Sequence, residues 1–315
     1  MKAVLHYRAS PGFRAELARQ AAEARVEAVC VDETDDAGFA AEIAGAEALL
    51  HVLKPVTAAM MDRAPRLKLI QKLGVGVNTI DLDAARARGI AVANMPGVNS
   101  QAVAEMTLAL MFAALRRVTY FDPLVRAGDG WRPDLDVLDR VGEIGGRTVG
   151  LVGYGGVPRR LAPVLSALGA EVIYTARQAK PDTVGRYGSL GELIERSDIL
   201  SLHVPLTDET RLIIDASAFE RMKPGAILIN TARGELVDQA ALAAALANGR
   251  LAAAGLDVFA REPIAPDDPL LTLPNVVLAP HVAWLTPETL ARSLERAFGN
   301  CRRLTDGLPL ENRVV

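Results

Sequence analysis

Aromatic side chains are scarce in this sequence. They make up 4% of the 315 residues, against 50% for hydrophobic residues as a whole, so alanine, valine and leucine must do most of the packing. A chain of this length suits two domains rather than one. Cysteine is nearly absent: Cys30 and Cys301 stand in no metal-binding or redox spacing, which reads as no metal site and fits a reducing cytoplasm. Neither sign of charge dominates. The 35 basic and 38 acidic residues give a formal charge of -3 and are mixed along the chain, with no basic stripe, so nucleic acid is a poor choice of partner. A long apolar run is missing too. The longest, over residues 102–115, is interrupted by Glu105 and is shorter than the ~20 residues a bilayer requires. The opening residues show no apolar stretch before Arg8, which reads against a secretory signal. The expected location is the cytoplasm.

What is present is alternation. Runs of strand length rich in Val, Ile and Leu cover residues 2–7, 26–31, 48–53, 67–73 and 90–95. Helical spacing falls between them at 13–24, 57–64 and 81–88, the last stopped by Gly89. Such alternation implies parallel strands covered by helices on both faces. The pattern changes at residues 100–118, which read as one long helix with little polar surface, followed by the loop Gly128-Asp129-Gly130-Trp131-Arg132-Pro133. A helix that apolar is buried, either in its own core or against a second subunit. The face that includes Met106, Leu110, Phe112 and Leu115 is expected between two subunits of a homodimer. A second series of strands follows at 148–152, 172–175, 199–204, 226–231, 253–258 and 276–279, with a closing helix over 287–303. The expected fold class is α/β, with two doubly wound parallel-sheet domains: residues 1–98 plus 284–315, and residues 99–283.

The segment Gly150-Leu151-Val152-Gly153-Tyr154-Gly155-Gly156-Val157 follows an apolar strand and leads into a helix expected over 159–168. That placement is what a dinucleotide site requires. Gly153 permits a tight turn, Gly155 lets the backbone approach a pyrophosphate, and the helix N-terminus offers unpaired N–H groups. Pro158 stands where the last glycine of the pattern is usual; proline is acceptable at a first helical position. An NAD site usually carries a carboxylate ~20 residues further on, bonded to the ribose. Here the second strand ends Tyr174-Thr175-Ala176-Arg177, with no carboxylate; Thr175 and Arg177 suit a 2′-phosphate instead, so NADP(H) is the expected cofactor, with NAD(H) second.

Four motifs, the dinucleotide loop among them, extend this reading. They are Gly74-Val75-Gly76-Val77-Asn78 with Ile80-Asp81, the dinucleotide loop, the run from Asn230 to Asp238, and Gly255-Leu256-Asp257-Val258-Phe259 leading to Glu262-Pro263; Pro280-His281 completes the set. In this order they resemble the D-isomer-specific 2-hydroxyacid dehydrogenases over nearly the whole chain. Two segments, Tyr174 to Gln178 and Pro280 to Trp284, look like the glyoxylate and hydroxypyruvate reductases of that family. The resemblance implies a Rossmann cofactor domain inserted into a flavodoxin-like substrate domain, with substrate bound between them and hinges near Val98 and Trp284. Pro158 departs from the family pattern.

The chemistry also stands on the residues. Reducing a 2-keto acid requires a cation for the carboxylate and carbonyl, a proton donor for the developing alkoxide, and a placed hydride. Arg233 follows a strand at the carboxyl edge of a parallel sheet, and its forked guanidinium suits the carboxylate and carbonyl together. His281, one of only four histidines, follows another strand and is the natural proton donor. By resemblance Glu262 holds the His281 ring. Backbone N–H groups of Gly74, Val75 and Gly76 suit an anion pocket for the substrate, and Trp284 is expected beside the substrate. The resemblance further implies that Asp257 bonds the nicotinamide carboxamide, that Thr107 approaches the cofactor phosphates, and that His203 and Pro205 line the cofactor cleft with Tyr154, Gly156, Val157, Thr231 and Ala232. Lys54 reads as cleft-facing or simply solvated. The expected reaction is reduction of a small 2-keto acid to a D-2-hydroxy acid. The rivals are a nucleotide-sensing corepressor-like binding protein and a short phosphoglycerate dehydrogenase.

Overall fold

Five short parallel strands open the chain, the first four each followed by a helix that returns across the sheet. A computed structural model describes all 315 residues. Strands β1 (Lys2–His6), β2 (Glu27–Val31), β3 (Ala48–His51), β4 (Leu69–Lys72) and β5 (Ala91–Ala93) alternate with α1 (Pro11–Ala24), α2 (Asp36–Ile43), α3 (Ala58–Asp62) and α4 (Leu82–Ala87). They form one sheet in the order β2-β1-β3-β4-β5, the doubly wound order of flavodoxin-like sheets. The helix starts are written in the sequence. Ser10 caps α1 by accepting from the Phe13 N–H at 3.2 Å, with Pro11 at the first position; Asp35, Thr57 and Asp81 cap α2, α3 and α4 in the same way. The helix expected from residue 81 indeed ends before Gly89, which takes a φ of +67°.

The middle of the chain builds a second sheet. The helices α5 (Ser100–Arg116), α6 (Val118–Ala127) and α7 (Leu135–Leu138) precede β6 (Thr148–Val152), α8 (Pro158–Ala167), β7 (Glu171–Thr175) and β8 (Arg186–Tyr187). Then follow α9 (Leu190–Arg196), β9 (Ile199–Leu202), α10 (Ala216–Arg221), β10 (Ala226–Asn230), α11 (Gln239–Ala247), β11 (Leu251–Leu256) and β12 (Val276–Leu278). All seven strands are parallel, in the order β8-β7-β6-β9-β10-β11-β12. Read from β8, this is the 3-2-1-4-5-6 order of dinucleotide-binding sheets with one strand added. The closing helix α12 (Pro287–Thr305) returns to the first sheet and packs against α1 and β4. By backbone proximity the chain forms two units: Met1–Asn99 with Leu285–Val315, and Ser100–Trp284.

Two expectations fail here for physical reasons. The apolar stretch read as one helix over 100–118 is broken at Arg117, which adopts left-handed φ 52° and donates its Nη2 to the Ala252 carbonyl at 2.8 Å. The chain then restarts as α6, none of whose residues is buried. Nor is the α5 face free for a partner: Leu110 and Leu115 lie in the core of their own unit, with Met106 partly buried against it, and only Phe112 is exposed. Gly255 allows this packing, since a Cβ there would come within 2.9 Å of the Leu110 Cβ.

Candidate functional site

The turn after β6 separates the demands of folding from those of a ligand. Gly153 has φ +102°, and a Cβ there would lie 2.8 Å from the His203 carbonyl oxygen; its own N–H donates to Thr175 O at 3.0 Å. Gly155 differs: a Cβ there would meet nothing within 4 Å. The N–H groups of Tyr154, Gly155, Gly156 and Val157 donate to nothing within the protein. They sit at the start of α8, whose first residue is Pro158, so the proline occupies a position that needs no N–H. Unpaired N–H groups, the positive helix end and open space over Gly155 fit a dinucleotide pyrophosphate. At the end of β7, Thr175 is half-buried and Arg177 is exposed, engaged in no ion pair. Arg159 lies 5.6 Å from the centre of the Tyr154 ring, and Arg160 donates to the Gly156 carbonyl at 2.9 Å.

Three loops at the carboxyl edge of the same sheet bring together Arg233, Glu262 and His281. The first loop follows β10. Buried Asn230 accepts the Ala232 N–H at 3.0 Å and donates to the Arg233 carbonyl at 2.8 Å, shaping the turn. Gly234 is obligatory, because a Cβ there would lie 1.8 Å from the Phe259 carbonyl carbon. That close approach pins the Arg233 turn against the segment carrying Glu262. The Glu262 carboxylate then divides its work: Oε1 accepts the Phe259 N–H at 3.0 Å, and Oε2 lies 2.6 Å from His281 Nδ1. Burial pushes the Glu262 pKa up, but the His281 bond and charge, the Phe259 N–H and Arg233 together hold it below the usual value of 4.5. Burial lowers the Arg233 pKa against the opposing pull of Glu235 and Glu262.

The backbone of His281 is left-handed, with φ 56°, and is held in three places by one residue. Asp257 O accepts the His281 N–H at 2.8 Å, while Oδ1 and Oδ2 accept the Val282 and Ala283 N–H groups at 2.8 and 2.9 Å. Trp284 Nε1 donates to the His281 carbonyl at 3.0 Å. The expected cofactor residues also bond within the protein. Asp257 is fully buried, and its carboxylate anchors the His281 loop. Thr107 is also fully buried; its hydroxyl donates to Val103 O at 2.7 Å and meets Thr231 Oγ1 at 3.0 Å. His203 bonds Ser201 Oγ through Nε2 at 2.9 Å, its pKa pushed down to about 3 by burial, while Pro205 is exposed. Asn230 and Gly234 stand in the motif named from the sequence, which assigned neither of them a role. The signal was there: an asparagine at a strand end, two residues before a turn, commonly bonds its own backbone.

In the other unit, the Gly74, Val75 and Gly76 N–H groups follow β4 and make no hydrogen bond within the protein. Lys54 is not solvated freely; its Nζ donates to Glu33 O at 2.8 Å and Asp36 Oδ1 at 2.6 Å. No group of three His, Cys, Asp or Glu side chains is placed to hold a metal, and no helix is long and apolar enough to cross a membrane.

Residues 108–283 match the family model for the D-isomer specific 2-hydroxyacid dehydrogenase NAD binding domain. The chain is 43% identical over 262 residues to a glyoxylate reductase of Aeropyrum pernix, covering 81% of this chain and 78% of that protein. It is 40% identical over 274 residues to the D-3-phosphoglycerate dehydrogenase of Mycobacterium tuberculosis, but spans only 51% of it. The crystal structure of the TT0316 protein of Thermus thermophilus superposes with a TM-score of 0.89 at 38% identity, over 100% of both chains. The chain thus belongs to the D-isomer specific 2-hydroxyacid dehydrogenases, and is a nicotinamide-dependent oxidoreductase.

Proposed function

We propose that the protein reduces a small 2-keto acid of the glyoxylate or hydroxypyruvate type to the D-2-hydroxy acid, using NADPH in preference to NADH. The observation that carries this reading is the 2.6 Å contact between His281 Nδ1 and Glu262 Oε2 beside Arg233. With Nδ1–H donated to the carboxylate, Nε2 is the nitrogen left to deliver a proton to the carbonyl oxygen as charge develops there. Arg233 binds the substrate carboxylate and polarises the carbonyl, and the free N–H groups of Gly74, Val75 and Gly76 form a further anion pocket. A nicotinamide, when bound, supplies the hydride. Ser100–Trp284 is then the cofactor domain and the remaining unit the substrate domain. Tyr154 to Val157 hold the pyrophosphate, and Thr175 and Arg177 the 2′-phosphate. The 43% identical relative that bears the name glyoxylate reductase supports the substrate class.

The protein works as a two-fold dimer, through a surface different from the one expected of α5. Phe112, Val118, Val125, Trp131, Leu135 and Leu138 are all exposed within one stretch from α5 to α7, with Trp131 84% exposed, and exposed apolar surface of this kind marks an interface. Free Cys30 and Cys301 fit the reducing cytoplasm.

His281→Ala tests the reading. Reduction of glyoxylate and hydroxypyruvate should fall by about 10²–10⁴-fold, as expected for loss of a general acid, with nucleotide affinity kept. Full activity in the variant would overturn the assignment.

A further inference from the structure

A cavity of about 310 Å³ lies within the first unit, at the carboxyl ends of β1 and β3. These neighbouring strands are where the sheet changes direction: β1 leads to α1, which packs with α12, and β3 leads to α3, which packs with α4. Ligands of doubly wound sheets collect at such a crevice. The walls are apolar, made by Ile43, Leu49, Val56 and Met60. The floor is not. His6 and His51 are register partners on the two strands, and both line the cavity.

Their hydrogen bonding is incomplete. His51 Nε2 lies 2.8 Å from the Lys54 carbonyl, to which only an N–H can donate, so Nδ1 is a bare acceptor; it is buried and has no partner. His6 stacks face to face on Phe39 at 3.8 Å, and its buried Nε2 is also without a partner, although the residue is only 8% exposed. Buried polar atoms are almost always paired, and an orphan commonly marks an unseen polar guest. At the rim, Lys54 and Arg63 oppose the single carboxylate of Asp36, which leaves one net positive charge. Burial and Lys54 lower the His6 pKa, against Asp36 and Asp32, so the floor is uncharged at neutral pH.

We propose that this cavity binds a small organic monoanion whose short aliphatic body ends in a hydroxyl group. The anionic group sits at the Lys54–Arg63 rim, the chain lies against Ile43, Leu49, Val56 and Met60, and the hydroxyl donates to an orphaned imidazole nitrogen of the polar floor. The site shares no residue with those assigned to the reaction.

The test is an NMR titration of the full chain with 4-hydroxybutanoate, read at the ring signals of its four histidines, with butylammonium as the control. The His6 and His51 signals should move saturably with 4-hydroxybutanoate and stay still with butylammonium. Met60→Trp, which fills the apolar wall, and the double change Lys54→Met with Arg63→Met should each weaken the titration at least tenfold. His281 reports separately on the reaction site and should keep its own response in these variants, so failure of one assignment is distinct from failure of the other. Unmoved His6 and His51 signals, an equal response to butylammonium, or an unchanged titration in both variants would overturn the site.

Discussion

Replacing Gly155 by alanine should cost the protein its cofactor and none of its stability. The new Cβ meets nothing within 4 Å, and the backbone is outside the left-handed region, so folding gains from the stiffer unfolded chain. Gly→Ala at such a position stabilises by about 0.4–1 kcal/mol. At ~2–4 °C per kcal/mol for a domain of this size, Tm should rise by about 1–4 °C. The same methyl group stands over the unpaired N–H groups of Tyr154 to Val157 and pushes a pyrophosphate off at least one of them. A charge-assisted bond contributes ~1.5–3 kcal/mol, so Kd for NADPH should rise roughly 10–100-fold. Gly153→Ala is the counterpart: its Cβ would strike the His203 carbonyl at 2.8 Å from a strained φ of +102°, and Tm should fall. Nucleotide titration by fluorescence and thermal unfolding give the two numbers. Unaltered NADPH affinity in Gly155→Ala, or a Tm loss matching that of Gly153→Ala, would refute the reasoning.

Arg177→Ala should narrow the NADPH/NADH ratio of kcat/KM by about tenfold, the low end for a charged hydrogen bond because the residue is exposed; an unchanged ratio at fixed ionic strength removes Arg177 from the 2′-phosphate. His51, whose pKa burial and the Lys72 charge push from 6.5 down to about 3, should make stability depend on pH. Below 6.5 the unfolded chain takes a proton that the fold refuses, so stability falls with pH by up to about 1.4 kcal/mol per unit, levelling off near 3; denaturant titrations from pH 7 to 5 should show a shallower slope in His51→Gln, and equal slopes contradict this. Trp131→Asp should convert the dimer to a 33.5 kDa monomer in micromolar sedimentation runs, whereas a monomeric wild type would refute the interface.

The parallel sheets and the phosphate turn were legible because hydrophobic runs, caps and Gly89 carry local signals. The break at Arg117 was not. Neither glycine nor proline marks it, and what holds it is a bond to Ala252, 135 positions away. Edge strand β8 is two residues long, too short for any periodicity to show. Motif position does not reveal which backbone groups the Thr107 hydroxyl and the Asp257 carboxylate meet within the protein. The same holds for Lys54, bound to Asp36 at the start of α2, and for the pairing of His6 with His51, which only strand register creates. Arg233, Glu262 and His281 stood out as residue types in motifs; their joining depends on Gly234, whose missing side chain lets two loops touch.

The most direct test of the account is steady-state reduction of glyoxylate, hydroxypyruvate and 3-phosphohydroxypyruvate with NADPH and NADH, in wild type and in Glu262→Gln, followed across pH, with chiral analysis of the products that have a stereocentre. The account predicts turnover of the unphosphorylated acids to D-products, faster with NADPH. In Glu262→Gln it predicts a fall in kcat with nucleotide affinity kept, because an amide replaces the carboxylate that orients the His281 ring at 2.6 Å. Nucleotide binding without turnover of any 2-keto acid, an L-product, or full activity in Glu262→Gln would contradict it.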